Sequence, residues 1–359
     1  SLFFESVSNL QVAILQGLRK VKVLAEASLV GATVSLILTV PLYYIWKIDA
    51  IPYAIAIGYI IPCLIYVFYQ RIQNFRTTYR LSIEQYKEIA SPIIRLGITL
   101  MLGNCIMSLF VLGLNMFINH LGGSSAVGFY QAASVCTYSA INIIVAILAS
   151  DYYPRLANSI DNPETVEEII STQVELLLLV LAPVACAMIM IPDMFIWLLY
   201  SSDFLGISEV VQIMSISLFF RVVWHSMSYV ILAKGDKKAY LQIDALLGNG
   251  LFFISNIIGY YAYGLKGLAY SYVISSFLVM LILFLFIRNR YNYKIKAITL
   301  KTAGLLLTLC IVTFFCNRLI TNGMLIYINI LLILLVLFVT AIILEKRTFL
   351  ISKYIKKNR

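Results

Sequence analysis

The apolar residues of this chain fall in unbroken runs of roughly 18 to 25, each long enough to cross a bilayer. Nothing else in the sequence constrains the fold as strongly. Inside lipid every backbone N–H and C=O must be paired within the protein, which leaves helices and closed barrels. The runs are continuous and do not alternate apolar with polar residues, so they predict helices, not barrel strands. The chain is 61% hydrophobic and 12% charged, whereas a typical soluble chain is about a quarter charged. The expected fold class is therefore all-α, a polytopic membrane protein. Residues 1–18 read as the tail of a helix. Complete spans are expected near 26–46, 51–70, 94–118, 126–150, 172–200, 207–233, 240–262, 266–287, 302–320 and 324–344. Pro183 and Pro192 fall inside the 172–200 span and are expected to bend it, because proline removes a backbone donor.

A net charge of +10 invites a nucleic-acid partner, but its distribution argues against one. With the Arg19 loop placed in the cytoplasm and the sides alternating, only Lys47, Lys266 and Arg318 of the 27 basic residues fall outside, and Arg221 falls within a span. The rest lie inside, as the positive-inside rule requires. The tail KRTFLISKYIKKNR ends on the cytoplasmic side, as a topology anchor within reach of anionic headgroups.

The six cysteines, Cys63, Cys105, Cys136, Cys186, Cys310 and Cys316, all lie in expected spans and form no CxxC pair. They read as small apolar packing residues, and neither a metal site nor a cofactor is expected. No phosphate-cradling glycine loop, zinc-binding HExxH or Ser/His/Asp arrangement stands out. The outer loops are too short to carry the catalytic domain of a membrane polysaccharide polymerase or ligase. The chain thus reads as a non-enzyme.

Two halves are built on one plan. Shifting the sequence by 218 residues brings Gly17 onto Gly235, Lys20 onto Lys238, Glu26 onto Asp244 and Tyr43 onto Tyr261. The 26–46 and 51–70 spans then overlay 240–262 and 266–287, a common transporter layout. If the halves match, roughly 130 further residues are expected before Ser1, which itself overlays Phe219 in mid-helix.

Three stretches carry a family resemblance. Leu15–Tyr44 (LQGLRKVKVLAEASLVGATVSLILTVPLYY), Gly122–Ala157 with its pattern VGxYxAA followed by a span and DYYPRL, and ILAKGDKKAYL from Ile231 to Leu241 resemble the O-antigen and polysaccharide flippases of the multidrug/oligosaccharidyl-lipid/polysaccharide exporter superfamily. The resemblance implies a two-lobe helical bundle whose first spans are missing here. Residues 1–88 would end the first lobe, 89–298 would form the second six-helix lobe, and 299–359 an added hairpin with a basic tail. It also implies a translocase of the bacterial cytoplasmic (inner) membrane, acting in O-antigen or lipopolysaccharide assembly. Its substrate would be an undecaprenyl-pyrophosphate-linked oligosaccharide, moved by alternating access. Membrane lipids and polysaccharide assembly proteins would be its partners. A drug or small-molecule exporter of the same superfamily is the alternative. One departure stands out: many relatives carry a charge late in the span equivalent to 94–118, where VLGLNMFINH has Asn115.

Polar residues inside spans are the candidate cavity lining. Asn104, Ser108 and Asn115 share one helical face, as do Gln131, Ser134, Tyr138 and Asn142. These amides and hydroxyls both donate and accept, as sugar hydroxyls require. Arg221 and His225 share a face of the 207–233 span. A charge at that depth costs about 2.5 to 3.5 kcal/mol on insertion scales, so Arg221 needs a compensating role. It would either contact the carrier's pyrophosphate or pair with an acid. The Gln242, Asn249 and Asn256 stripe reads as helix–helix hydrogen bonding. Glu26, Glu175 and Asp244 read as helix-start acids. Pro163 starts a short cytoplasmic helix, PETVEEII, leading into the next span.

Overall fold

The computed structural model describes residues 2–18, 20–72, 82–319 and 324–357. Arg19, Arg76 and Arg80 fall outside these residues, and the side chains of the basic tail are not described. The described residues are helical almost throughout, as the runs predict. Seven stretches are long and apolar enough to cross a membrane, and three of them hold 51, 56 and 55 residues. About 20 residues suffice for one crossing, so each of the three has the length of two.

All three are interrupted where the sequence places a turn. Between α2 (Val21–Trp46) and α3 (Ile51–Ile72) lies a 3-10 turn, Lys47–Ala50. Helix α4 (Ile83–Asn158) is broken at Gly123, whose φ of 76° suits a residue without Cβ. Helix α9 (Asn249–Tyr291) is broken at Tyr263 and Gly264. Beyond that break its two halves pack closely, because Gly259 and Gly267 sit backbone to backbone.

The chain divides into two compact units, residues 1–88 and 89–359. In the first, α1 (Leu2–Gly17), α2 and α3 pack around Leu15, Ala27 and Tyr66, and Ser28 and Tyr66 share a hydrogen bond of 2.8 Å. The core of the second is built on α5 (Pro163–Met190) and α7 (Ser208–Ala233). The apolar windows of these helices are 72% and 61% buried, against 11% for the corresponding window of α11 (Met324–Lys357). A helix apolar on all sides belongs in a centre, and α5 accordingly buries Leu177, Leu178, Leu179 and Leu181. Helices α10 (Ala297–Leu319) and α11 pack against α5.

Two local expectations change. Pro163 does begin a helix, capped by Asn162, whose side chain accepts from the Thr165 N–H. That helix is continuous with the span and does not form a separate cytoplasmic connector. Pro192 ends a helix instead of bending one: the chain breaks at Ile191, and Pro192 opens the short α6 (Pro192–Leu199). Pro183 remains inside α5.

Loops expected on one side of the membrane meet one another. On the basic side the Lys234 ammonium and the Tyr293 hydroxyl both donate to the Ile160 carbonyl, each at 3.0 Å. Asp236 pairs with Arg290 at 2.8 Å and accepts from the Tyr291 hydroxyl at 3.0 Å. At the opposite ends of these helices Glu209 bridges Lys266 and Arg318. This grouping agrees with the alternation read from the basic residues.

Candidate functional site

Because α7 is central, the polar face it carries is buried. Arg221 is 6% exposed. Its guanidinium lies 4.2 Å from the Tyr138 ring, 4.8 Å from Trp224, 5.4 Å from Phe252 and 5.6 Å from Tyr272. Rings from α4, α7 and α9 thus surround the cation, and a desolvated cation–π contact contributes about 2 kcal/mol. The rings leave the N–H edge unengaged, and Arg221 Nε has no hydrogen-bond partner. An unmet buried donor costs about 1 to 3 kcal/mol.

Two cavities of the second unit meet at this residue. One of about 480 Å³ is lined by Asn104, Tyr153, Tyr240 and Asp244 among others. The other, of about 370 Å³, is lined by Asn115, Gln131, Ser134, Tyr138, Asn142 and Tyr272 among others. Arg221, His225, Asn249 and Met107 line both. Eight of the nine candidate side chains are therefore brought to this pair of cavities. Ser108 lines neither. It is exposed on α4, one turn beyond Asn104.

The sequence reading missed Asp244. It was assigned to a helix start, but helical structure already begins at Lys237. Asp244 thus lies about two turns in, facing the larger cavity. It accepts from the Trp224 indole N–H at 2.6 Å and from the Ser228 hydroxyl at 2.7 Å. The signal was present, since a carboxylate seven residues into a continuous helical run needs partners. Glu175 is likewise not at a helix start. It is buried in the middle of α5, where the Thr302 hydroxyl approaches it at 3.5 Å.

Asp244 stands in a π-helical segment, Tyr240–Gly248, that leads into α9. The wider π register frees carbonyls, and in lipid these must find donors. The Asn249 side chain supplies them, donating to the Asp244 and Ala245 carbonyls at 3.1 Å each. Asn256 accepts from the Ser271 hydroxyl at 2.9 Å. Of the stripe read as helix–helix hydrogen bonding, only Asn256 bonds across helices, to Ser271; Asn249 bonds within its own helical run and lines both cavities.

The stretch Gly122–Ala157, which carries the family resemblance, has a structural account. Ala132 and Ala133 are buried against α7 and α9. Tyr152 of DYYPRL donates to the Ser226 carbonyl at 2.9 Å and so ties the end of α4 to α7. Residues 1–209, more than half of the chain, match the family model described as "Polysaccharide biosynthesis protein". The chain belongs to this polysaccharide biosynthesis protein family. It is accordingly a multi-pass membrane protein. No curated protein matches it. Among solved structures it is similar to one described as lipid II flippase MurJ in an inward closed conformation, with a TM-score of 0.56 and 15% identity. The similarity covers 88% of this chain and 66% of that one, so the chain spans just under two thirds of the length of that relative. In this family member the α4 side of the site, Asn104 to Asn142, lies within the matched residues, whereas Arg221 and Asp244 lie beyond them.

Proposed function

We propose that this protein moves a lipid-linked oligosaccharide across the bacterial cytoplasmic membrane, as a transporter and not a catalyst. Arg221 would engage the pyrophosphate that joins sugar to polyprenyl carrier. The observation that carries the reading is the Arg221 guanidinium: buried in a membrane helix, with an unpartnered Nε, between two cavities lined by amides and hydroxyls. A guanidinium suits phosphate oxygens because its planar donors can bind them in pairs. The flanking cavities offer side chains that both donate and accept, which matches sugar hydroxyls. Family membership in polysaccharide biosynthesis and a fold similar to that of a lipid II flippase support the same substrate class. Movement would follow alternating access, with the second unit carrying Arg221 in a largely rigid frame.

A drug exporter of the same superfamily would place a cation at Asp244. Trp224 and Ser228 both donate to Oδ1 of that carboxylate and hold it against α7, whereas Arg221 Nε has no partner. The geometry favours an anionic headgroup.

Arg221→Lys and Arg221→Gln test the reading in the native protein, with polysaccharide export measured at matched membrane abundance. Losing a charge-assisted contact of about 2 kcal/mol corresponds to roughly a thirtyfold fall in transport. Gln is expected to show this fall, and Lys a smaller one. Normal export with Gln would rule out an essential phosphate contact.

A further inference from the structure

The smaller cavity carries a more specific assignment. Among the described residues nine buried side-chain polar atoms lack a hydrogen-bond partner, and four of the nine line this one cavity. They are Asn115 Oδ1, Ser134 Oγ, Arg221 Nε and the Tyr272 hydroxyl. They come from both halves of α4, from α7 and from α9. Tyr272 is 1% exposed, so its hydroxyl is enclosed by protein. Buried polar groups in proteins are almost always paired, so orphans gathered around one cavity are met there by water or by a ligand.

The cavity walls indicate what that ligand is. Tyr138, Phe252 and Phe253 present apolar ring surface, and Tyr138 and Phe252 both meet Tyr272 edge-on. A pyranose ring has apolar C–H faces and a rim of hydroxyls, and these walls with these orphans match both parts. Tyr272 and Ser134 can donate or accept, Asn115 can do both at once, and Arg221 only donates. No carboxylate is among the lining residues, so the site has no partner for an amino sugar's cation. The volume of about 370 Å³ is the space of about a dozen waters, which suits a single ring and not a whole oligosaccharide.

We propose that this cavity is a subsite for one neutral pyranose, the sugar bonded directly to the carrier phosphate, with Asn115, Ser134 and Tyr272 as its specificity-determining residues. This rests on the flippase reading, since the phosphate is placed at Arg221 and the first sugar is one bond away. No covalent step is involved.

The test uses Tyr272→Phe with Ser134→Ala in the native protein. Two quantities are measured: polysaccharide export at matched membrane abundance, and the thermal midpoint of the purified, unliganded protein. Tyr272→Phe deletes an orphan hydroxyl, and Ser134→Ala deletes a hydroxyl that faces the Tyr130 hydroxyl. The double variant is expected to keep or raise its midpoint while export falls at least tenfold. Inorganic pyrophosphate should raise the midpoint of wild type and double variant alike. A further rise with a hexose 1-phosphate (glucose, galactose or N-acetylglucosamine 1-phosphate) should be confined to wild type. Unchanged export in the double variant overturns the subsite, and so does a fallen midpoint, which would make these atoms structural. Arg221→Gln separates the two claims. If it exports normally, the phosphate reading fails first. If it fails to export while the double variant exports normally, only the subsite is wrong.

Discussion

Asp244 and Arg221 line the same cavity and make no ion pair. Asp244 is held by Trp224 and Ser228, and Arg221 by four aromatic rings. A direct pair in low dielectric would quench both charges, and breaking it for a substrate would be costly. Keeping them apart leaves the cation's edge open to an anion.

This separation makes a prediction for Asp244. Asp244→Asn retains an acceptor for the indole N–H and the hydroxyl and is expected to fold with a near wild-type thermal midpoint. Asp244→Leu leaves both donors facing an apolar group, at a cost of about 3 kcal/mol. Thermal unfolding in detergent should therefore rank Leu well below Asn. Equal midpoints would show that the two hydrogen bonds carry no stability.

Asn249 holds the π-helical segment in place through two carbonyls. Asn249→Leu should cost about 1 to 2 kcal/mol and loosen Tyr240–Gly248. Amide hydrogen exchange would read this as faster exchange confined to that segment. Unaltered exchange there would mean that the π register needs no side-chain donor.

The close approach of the α9 halves predicts a strong size limit. A Cβ on Gly259 would collide with the Gly267 carbonyl and the Ser271 side chain. Gly259→Val should cost at least the 1 to 3 kcal/mol, roughly, of overpacking and reduce membrane abundance. Gly128, which has nothing within 4 Å of its Cβ position, provides the control, with Gly128→Ala accumulating normally. Normal accumulation of Gly259→Val would mean that the two halves can part.

On the basic face, burial raises the pKa of Asp236, but the Ala239 N–H, the Tyr291 hydroxyl and the Arg290 guanidinium together outweigh it, so the carboxyl lies below its ordinary value. A folded pKa below the unfolded one stabilises the fold above the unfolded value, about 3.9. That contribution is lost as pH falls through the folded pKa. The wild-type midpoint is expected to fall more steeply than that of Asp236→Asn below about pH 4. Parallel curves for the two proteins would exclude Asp236 as a source of acid sensitivity.

Much of the site was legible because spans obey helical periodicity. Asn115, Gln131, Ser134, Tyr138 and Asn142 could be grouped by face, and Arg221 stood out as a lone charge in an apolar run. Ser108 satisfied the same periodicity as Asn104 but lines neither cavity. Periodicity assigns a residue to a face, while the neighbouring helices decide how much of that face borders the cavity. Asp244 was misread because the loop at Gly235 seemed to end closer to it than the actual helix start at Lys237.

The sequence alone determined that the chain is helical and membrane-spanning, where it turns, and which loops share a side. These follow from local rules, because lipid forces backbone groups to pair within each helix and basic residues cluster on one side. Tertiary structure decided which polar faces converge. Trp224 lies one turn from Arg221 on α7, but Tyr138, Phe252 and Tyr272 reach Arg221 only because α4, α7 and α9 pack there. No local pattern encodes contacts between residues dozens of positions apart; side-chain packing between helices sets them.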